Sequence, residues 1–188
     1  MAKSNMDQDI LKVLITQDEI HARTQELGDQ LYERFHDKNP MFVGILGSCY
    51  VFMADVIRRF AAPCTVEFLA VSHYGPDHEG VVLAKDVGMA PMGRHVVVLE
   101  ALLDTGRTMT FVTNLLQHRG AASLEVCTLL DQPSHRQAPI EADYVGFSIP
   151  ACIPVGYGLD NQDRFRNLPY IGAYHPETEQ THGTEVSN

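Results

Sequence analysis

The chain has 188 residues, of which 45% are hydrophobic and 20% charged, and its formal net charge at pH 7 is −10. This length predicts one domain with a sizeable core, and the acidic charge argues against a protein that binds nucleic acid or anionic membranes through bulk electrostatics. The four cysteines form no C-x-x-C pair and no apolar run approaches the roughly 18 residues of a membrane span, so we predict a cytoplasmic protein with reduced thiols.

A short strand and a capped helix are predicted at the start of the chain. Residues 10–15 form an apolar run that suits a strand pairing with another part of the chain. Thr16 and Glu19 form a capping box, and one apolar face then continues at helical spacing as far as Phe35. Residues 37–40, which end in a proline, are expected to terminate this helix.

The middle of the chain repeats the order of strand, small-residue turn and helix. Buried strands are predicted at residues 41–46, 66–72, 96–99, 124–130 and 144–147, and helices at residues 50–59 and 109–117. The polar segment at residues 73–80, which begins with His73 and Tyr74, is predicted to be a flexible loop, followed by a returning strand at residues 81–83. This alternation predicts an α/β fold with a mostly parallel twisted sheet flanked by helices, and a ligand at the carboxyl ends of the strands.

The turn at residues 104–108 is a candidate anion site. It reads Asp-Thr-Gly-Arg-Thr between a buried strand and a helix. The first N–H groups of a helix have no partner within the helix, and that end of the helix dipole is positive. A sugar phosphate is therefore the expected ligand, and the alternative is a plain strand-to-helix turn in which Asp104 serves only as an N-cap.

The same residues carry a family resemblance. Glu100 followed by residues 104–108 resembles the phosphoribosyl pyrophosphate (PRPP) signature of type I phosphoribosyltransferases, and the chain is similar to hypoxanthine-guanine phosphoribosyltransferases from about residue 15 to residue 172. Further matches lie at residues 44–55, 143–150 and 155–168. The resemblance implies a type I phosphoribosyltransferase fold, with a core at about 38–148 and a small hood built from 1–15 and 149–175. Independently of the resemblance, the polar terminal residues 182–188 are predicted to be a disordered tail.

The resemblance also implies an activity, which is transfer of a phosphoribosyl group from PRPP to a ring nitrogen of a purine, with release of pyrophosphate and dependence on Mg²⁺. Asp104 would be the general base, and Glu100 would meet the ribose hydroxyls. The residues implied for the 5′-phosphate are Thr105, Gly106, Arg107 and Thr108. Those implied for pyrophosphate are Gly47, Ser48 and Arg166, and those for the base are Gln132, Ile153, Pro154, Leu159 and Asp160, with Asp160 also binding the metal.

Several positions depart from the family pattern. Ala101 stands where the family has a second acidic residue, and Gly47-Ser48 replaces a Lys/Arg-Gly pair. In the loop, His73 replaces a serine, and residues 78–79 (His and Glu) replace a Ser/Thr pair. A hydrogen bond to a charged group contributes about 1.5 to 3 kcal/mol, so losing one or two of them is expected to slow the reaction without necessarily abolishing it.

The predicted base pocket departs further. Gln132 replaces a lysine that donates to the purine 6-oxo oxygen, Ile153 replaces an aromatic residue that stacks on the base, and Pro154 has no N–H to donate to that oxygen. These changes suggest a base other than hypoxanthine or guanine, such as a 6-amino ring that donates to the Gln132 carbonyl. A shift of the alignment near Gln132, or a water in place of the lysine, would leave ordinary base choice intact.

A second functional class stays open. Ala101 and Gly47 are also consistent with a non-catalytic nucleotide-sensing protein that keeps the phosphate site and has lost turnover. Asp104 favours the enzyme, because a protein that only binds has no need of a base at that position. The expected partners are PRPP and a purine-like base, without nucleic acid or membrane, and the resemblance implies a homodimer or homotetramer.

Overall fold

The computed structural model describes residues 10–74 and 80–175. Residues 1–9 of the predicted hood, His78 and Glu79, and the predicted tail at 182–188 lie outside the described residues. The strands are β1 (Ile10–Ile15), β2 (Met41–Leu46), β3 (Thr65–Tyr74), β4 (Gly80–Lys85), β5 (His95–Leu103), β6 (Ser123–Asp131), β7 (Tyr144–Ser148), β8 (Ile153–Val155) and β9 (Ile171–Tyr174), and the helices are α1 (Gln17–Phe35), α2 (Tyr50–Arg59) and α3 (Arg107–His118).

A six-stranded sheet in the order β4-β3-β2-β5-β6-β7 forms the centre of the fold. The pairings from β3 through β7 are parallel, and β4 returns antiparallel to β3 at the edge. This confirms the predicted mostly parallel sheet. In β5, alternate side chains point to opposite faces, so that Val97 and Leu99 pack with the apolar sides of α1 and α2 while Val96 and Val98 pack with α3.

The helix predicted from the capping box is confirmed. The Thr16 hydroxyl accepts from the Glu19 N–H at 3.3 Å, and the Glu19 carboxylate accepts from the Thr16 N–H at 2.8 Å. The buried side of α1 then packs against α2 above the sheet. None of the helices in the described ranges is long and apolar enough to cross a membrane.

A second, three-stranded antiparallel sheet has the order β1-β9-β8 and joins the two ends of the described chain. Strand β8 contains Ile153 and Pro154, two of the residues predicted to contact the base. The Tyr157 hydroxyl, just after β8, donates to the Asp55 carboxylate of α2. This contact ties the segment after β8 to the central fold.

Strand β3 includes His73 and Tyr74, the first two residues of the predicted loop. His73 and Tyr74 are the last residues of β3 and pair with Val81 and Gly80 of β4. The prediction was wrong because it read two polar residues as a loop, whereas antiparallel pairing with β4 satisfies their backbone groups. His73 is therefore held at the end of a strand, close to the predicted phosphate turn.

Candidate active site

A cleft of about 600 Å³ opens at the carboxyl ends of β2, β3, β5 and β6 and is bounded on one side by β8. The lining includes most of the predicted site residues, namely Ser48, His73, Glu100, Asp104, Thr105, Gly106, Thr108, Gln132, Ile153, Pro154, Leu159 and Asp160. The carboxyl ends of the parallel strands meet at this edge of the sheet, and a ligand was predicted to bind there. Gly47, Tyr74, Arg107 and Arg166, which were also predicted, are not part of this lining.

The backbone of residues 104–108, here called the cup, forms one wall of the cleft. Gly106 is the N-cap of α3 and has a φ of 81°, in the left-handed region that favours glycine. The first backbone bond of the helix runs from the Thr110 N–H to the Gly106 carbonyl at 2.9 Å, so the preceding N–H groups have no carbonyl partner within α3. The Arg107 N–H lies 3.4 Å from the Thr105 hydroxyl oxygen, and a helix N-terminus of this kind is the arrangement in which proteins commonly bind anions. The alternative, in which Asp104 caps the helix, does not apply, because α3 has no side-chain cap.

Two segments brace the cup. The N–H groups of Gln137 and Ala138 donate to the Thr105 carbonyl at 2.9 and 3.1 Å. On the other side, His73 Nε2 lies 3.0 Å from the Thr108 hydroxyl oxygen. A methyl group on Gly106 would lie 2.7 Å from Ile140 Cγ2, which shows how closely the segment after β6 covers the cup.

Glu100 is buried at the base of the cleft. Its Oε1 accepts hydrogen bonds from the Ser48 hydroxyl and from the Ala101 N–H, both at 3.0 Å. Ser48 was predicted to contact pyrophosphate, and the structure instead joins it to the carboxylate predicted to meet the ribose. Ala101 is fully buried in the core, and no carboxylate stands there beside Glu100. Burial raises the pKa of Glu100 from its ordinary value of 4.5 to about 7.

Glu100 is expected to make stability depend on pH. Between pH 4.5 and about 7 the folded protein keeps a proton that the unfolded chain has released, so the free energy of unfolding falls as the pH rises. The variant Glu100→Gln should show a flatter dependence in urea unfolding across that range. Glu33→Gln, which changes an exposed glutamate of α1, is the control and should retain the wild-type slope. An unchanged slope in Glu100→Gln would contradict the assignment.

The residues predicted to contact the base form the opposite wall. Gln132 follows β6 and is 1% exposed, and its Oε1 is buried without a hydrogen-bond partner among the described residues. Ile153 is 43% exposed, while Pro154 is buried and pairs with Ala173 of β9. Leu159 completes this wall. An apolar surface with one amide therefore faces the position where a purine is predicted.

Arg166 connects the predicted pyrophosphate turn to the segment after β8. Its guanidinium donates to the Gly47 carbonyl at 3.2 Å and the Gly158 carbonyl at 2.9 Å, and pairs with the carboxylates of Asp160 and Asp163 at 3.0 and 3.1 Å. It therefore links the turn at Gly47 to the segment that carries Asp160, and a role in binding pyrophosphate stays a prediction. Asp160 lies at the cleft lining with this cation at its side.

Sequence reasoning missed His135. It belongs to a short 3-10 turn, Pro133–His135, directly after Gln132, and its Nδ1 lies 3.0 Å from Asp104 Oδ1. No motif marked this histidine, because its neighbour Asp104 is thirty-one positions away in the chain. The only signal available was its position just after a buried strand, next to a predicted base contact.

Comparison with known proteins gives consistent matches. A family model described as a phosphoribosyl transferase domain matches residues 16–162. The hypoxanthine-guanine phosphoribosyltransferase of Bacillus subtilis is 40% identical over 174 residues, which is 91% of this chain and 97% of that protein. A crystal structure of a hypoxanthine phosphoribosyltransferase from Staphylococcus aureus superposes with a TM-score of 0.91 at 41% identity, covering 95% of this chain and 98% of that one.

Relatives of greater length also match. The bifunctional protein TilS/HprT of Listeria monocytogenes is 42% identical over 92% of this chain, and the match spans 27% of that protein. The chain thus spans about a quarter of the length of such bifunctional relatives and nearly the whole length of relatives such as the Bacillus subtilis protein.

Proposed function

The chain belongs to the phosphoribosyltransferase family, and from this premise we propose that it transfers the 5-phosphoribosyl group of PRPP to a ring nitrogen of a purine base. Pyrophosphate would be the leaving group and a nucleoside 5′-monophosphate the product. The observation that carries the proposal is the placement of Asp104 and the cup in one cleft, facing a wall that suits a planar base. Relatives of matching length named as hypoxanthine-guanine phosphoribosyltransferases support it.

The cleft residues divide the chemistry between them. The cup holds the 5′-phosphate by its backbone N–H groups and the helix dipole. The bond from the base nitrogen to C1′ forms while the bond from C1′ to the pyrophosphate oxygen breaks, and Asp104 accepts the proton from the base. Glu100 would accept hydrogen bonds from the ribose hydroxyls, because its carboxylate lies at the cleft. Its hydrogen bond from Ser48 fixes the orientation of the carboxylate.

Magnesium fits this site as an ion that arrives with PRPP. The described residues contain no group of three or more His, Cys, Asp or Glu side chains that could hold a metal. Mg²⁺ commonly binds through one or two carboxylates together with substrate phosphates, and Asp160 at the lining offers one such carboxylate. When bound, the ion would neutralise charge on the leaving pyrophosphate. Arg166, paired with Asp160, would orient that carboxylate.

The proposal is tested by measuring pyrophosphate release from PRPP and Mg²⁺ with hypoxanthine, guanine, xanthine and adenine in turn. Release that requires both PRPP and one of these bases is the expected result. A reaction mixture without base is the control for spontaneous decay of PRPP. Nucleotide binding by calorimetry with no release from any base would instead favour the nucleotide-sensing function that Ala101 and Gly47 suggest.

We further propose that the protein acts in the cytoplasm as a homodimer or homotetramer. All four cysteines are free thiols, which suits a reducing compartment. The family resemblance alone supports the oligomer, and sedimentation equilibrium of the full chain would determine its mass.

A further inference from the structure

His135 lies between the predicted general base and the predicted base-reading residue. Its Nδ1 is 3.0 Å from Asp104 Oδ1 and 2.7 Å from Gln132 Nε2. The backbone fixes this position on both sides, because the Gln132 N–H donates to the Leu103 carbonyl at 3.0 Å and the Gln137 N–H donates to the Thr105 carbonyl at 2.9 Å. The imidazole is thus anchored to the end of β5 and to the cup.

The two contacts of Nδ1 cannot both be hydrogen bonds while Asp104 is ionised. A carboxylate only accepts, so the contact with Asp104 requires a proton on Nδ1. A protonated Nδ1 cannot accept from the amide N–H of Gln132. The conflict disappears if the amide is turned over, because its two ends have nearly the same shape and are assigned from their hydrogen bonds. Nδ1–H then donates to both Asp104 Oδ1 and the Gln132 carbonyl oxygen.

Turning the amide changes which group lies at the end of the Gln132 side chain that does not contact His135. This end of the amide is buried without a hydrogen-bond partner in the described part of the chain, and Gln132 lines the cleft. With the oxygen facing His135, the unpartnered end becomes an N–H donor. A buried donor without a partner is unfavourable, and an acceptor on a bound base would satisfy it.

We propose that His135 is a positioning residue for both of its neighbours, an inference that rests on the proposed function. Its Nδ1–H aims the ionised carboxylate of Asp104 at the base and holds the Gln132 amide with its N–H group toward the base. This arrangement replaces the sequence-based expectation that Gln132 accepts from a 6-amino group. An amide held this way favours a base that carries a carbonyl oxygen at the facing position.

The kinetic test compares His135→Ala with His135→Asn, whose side-chain amide can place an N–H near the position of Nδ1. His135→Ala should lower kcat/KM for the base by about tenfold to 100-fold through misplacement of Asp104, with KM for PRPP unchanged. It should also narrow the preference for a 6-oxo over a 6-amino purine, because the amide is then free to turn. His135→Asn should recover most of both losses.

The control is His118→Ala, which removes an exposed histidine of α3 whose Nδ1 lies 2.7 Å from the Asn114 carbonyl oxygen of the same helix. It should behave as wild type. Wild-type kinetics in His135→Ala would overturn the proposal, as would equal impairment of the Ala and Asn variants, which would indicate a structural role only.

A second readout does not depend on turnover. Nitrogen-15 NMR of the imidazole groups distinguishes a proton on Nδ1 from one on Nε2, and the His135 signals are those absent from His135→Ala. Neutral His135 should carry its proton on Nδ1 in wild type. A proton on Nε2 would overturn the proposal. A protein that releases no pyrophosphate but shows the Nδ1–H form would refute the proposed function while supporting the positioning contact.

Discussion

Asp104→Asn should lower kcat by about 10²-fold to 10⁴-fold, the range that a positioned general base contributes. The amide occupies the same volume as the carboxylate but cannot take the proton that the base nitrogen must lose. Binding of PRPP should not weaken, because the cup that holds the phosphate is made of backbone groups. Steady-state rates and calorimetric titration with PRPP measure the two effects separately.

Asp37→Asn is the matched control, since Asp37 is an exposed aspartate in the turn after α1, away from the cleft. It should leave both kcat and PRPP binding unchanged. If Asp104→Asn retained wild-type kcat, another group would have to accept the proton, and the assignment of Asp104 would be wrong.

Gly106→Ala should weaken PRPP binding by about 100-fold, the scale expected when a binding group moves by about 1 Å. Gly106 has a φ of 81°, and its new methyl group would lie 2.7 Å from Ile140 Cγ2 and 3.0 Å from Arg136 Cδ. Relief of these contacts would displace the cup or the segment that covers it. The measurement is the dissociation constant for PRPP, together with thermal unfolding of the variant.

Gly93→Ala separates the effect of the left-handed backbone from the effect of the steric contacts made by the new methyl group. Gly93 has a similar φ of 71°, yet a methyl group there would meet nothing within 4 Å. Both variants should lose about 1 to 2 kcal/mol of stability from the left-handed backbone. Only Gly106→Ala should lose PRPP affinity, and equal affinity in the two variants would contradict the role of the cup.

Local patterns in the sequence sufficed to predict the central sheet. The β-branched run at residues 96–99 marked a strand buried on both faces, and the capping box at Thr16 marked the start of α1. β5 nevertheless extends to Leu103, because Glu100, which breaks the apolar run, is accommodated by the hydroxyl of Ser48. A single charged residue inside a strand cannot be predicted without knowing its partner fifty-two positions away.

Of the second sheet, local patterns predicted β1 but neither β8 nor β9. β8 has three residues, one of them Pro154, and β9 has four residues that include Gly172. Such short segments carry no periodicity. They form strands because β9 pairs on one side with β8, its near neighbour in the sequence, and on the other side with β1, which lies far away in the sequence. Local patterns therefore predicted neither strand, although Ile153 and Pro154 of the base-facing wall belong to β8.

The same contrast between local patterns and long-range contacts applies to the residues of the candidate site. The cup was predicted from contiguous residues as one turn at 104–108, and α3 in fact begins inside it at Arg107, so that Arg107 and Thr108 are helical. The contacts of Ser48 with Glu100, of Arg166 with Gly47, and of His135 with Asp104 depend on tertiary packing. No single-sequence pattern specifies such contacts, and these determine how the cleft is held in shape.

The most direct test is a crystal structure of the protein soaked with PRPP and Mg²⁺. The account predicts the 5′-phosphate within hydrogen-bonding distance of the backbone N–H groups of residues 105–108, with the ribose above Glu100 and the C1′ side facing Gln132 and Asp104. A cup left empty while PRPP binds elsewhere, or a 5′-phosphate bound by another segment of the chain, would contradict it.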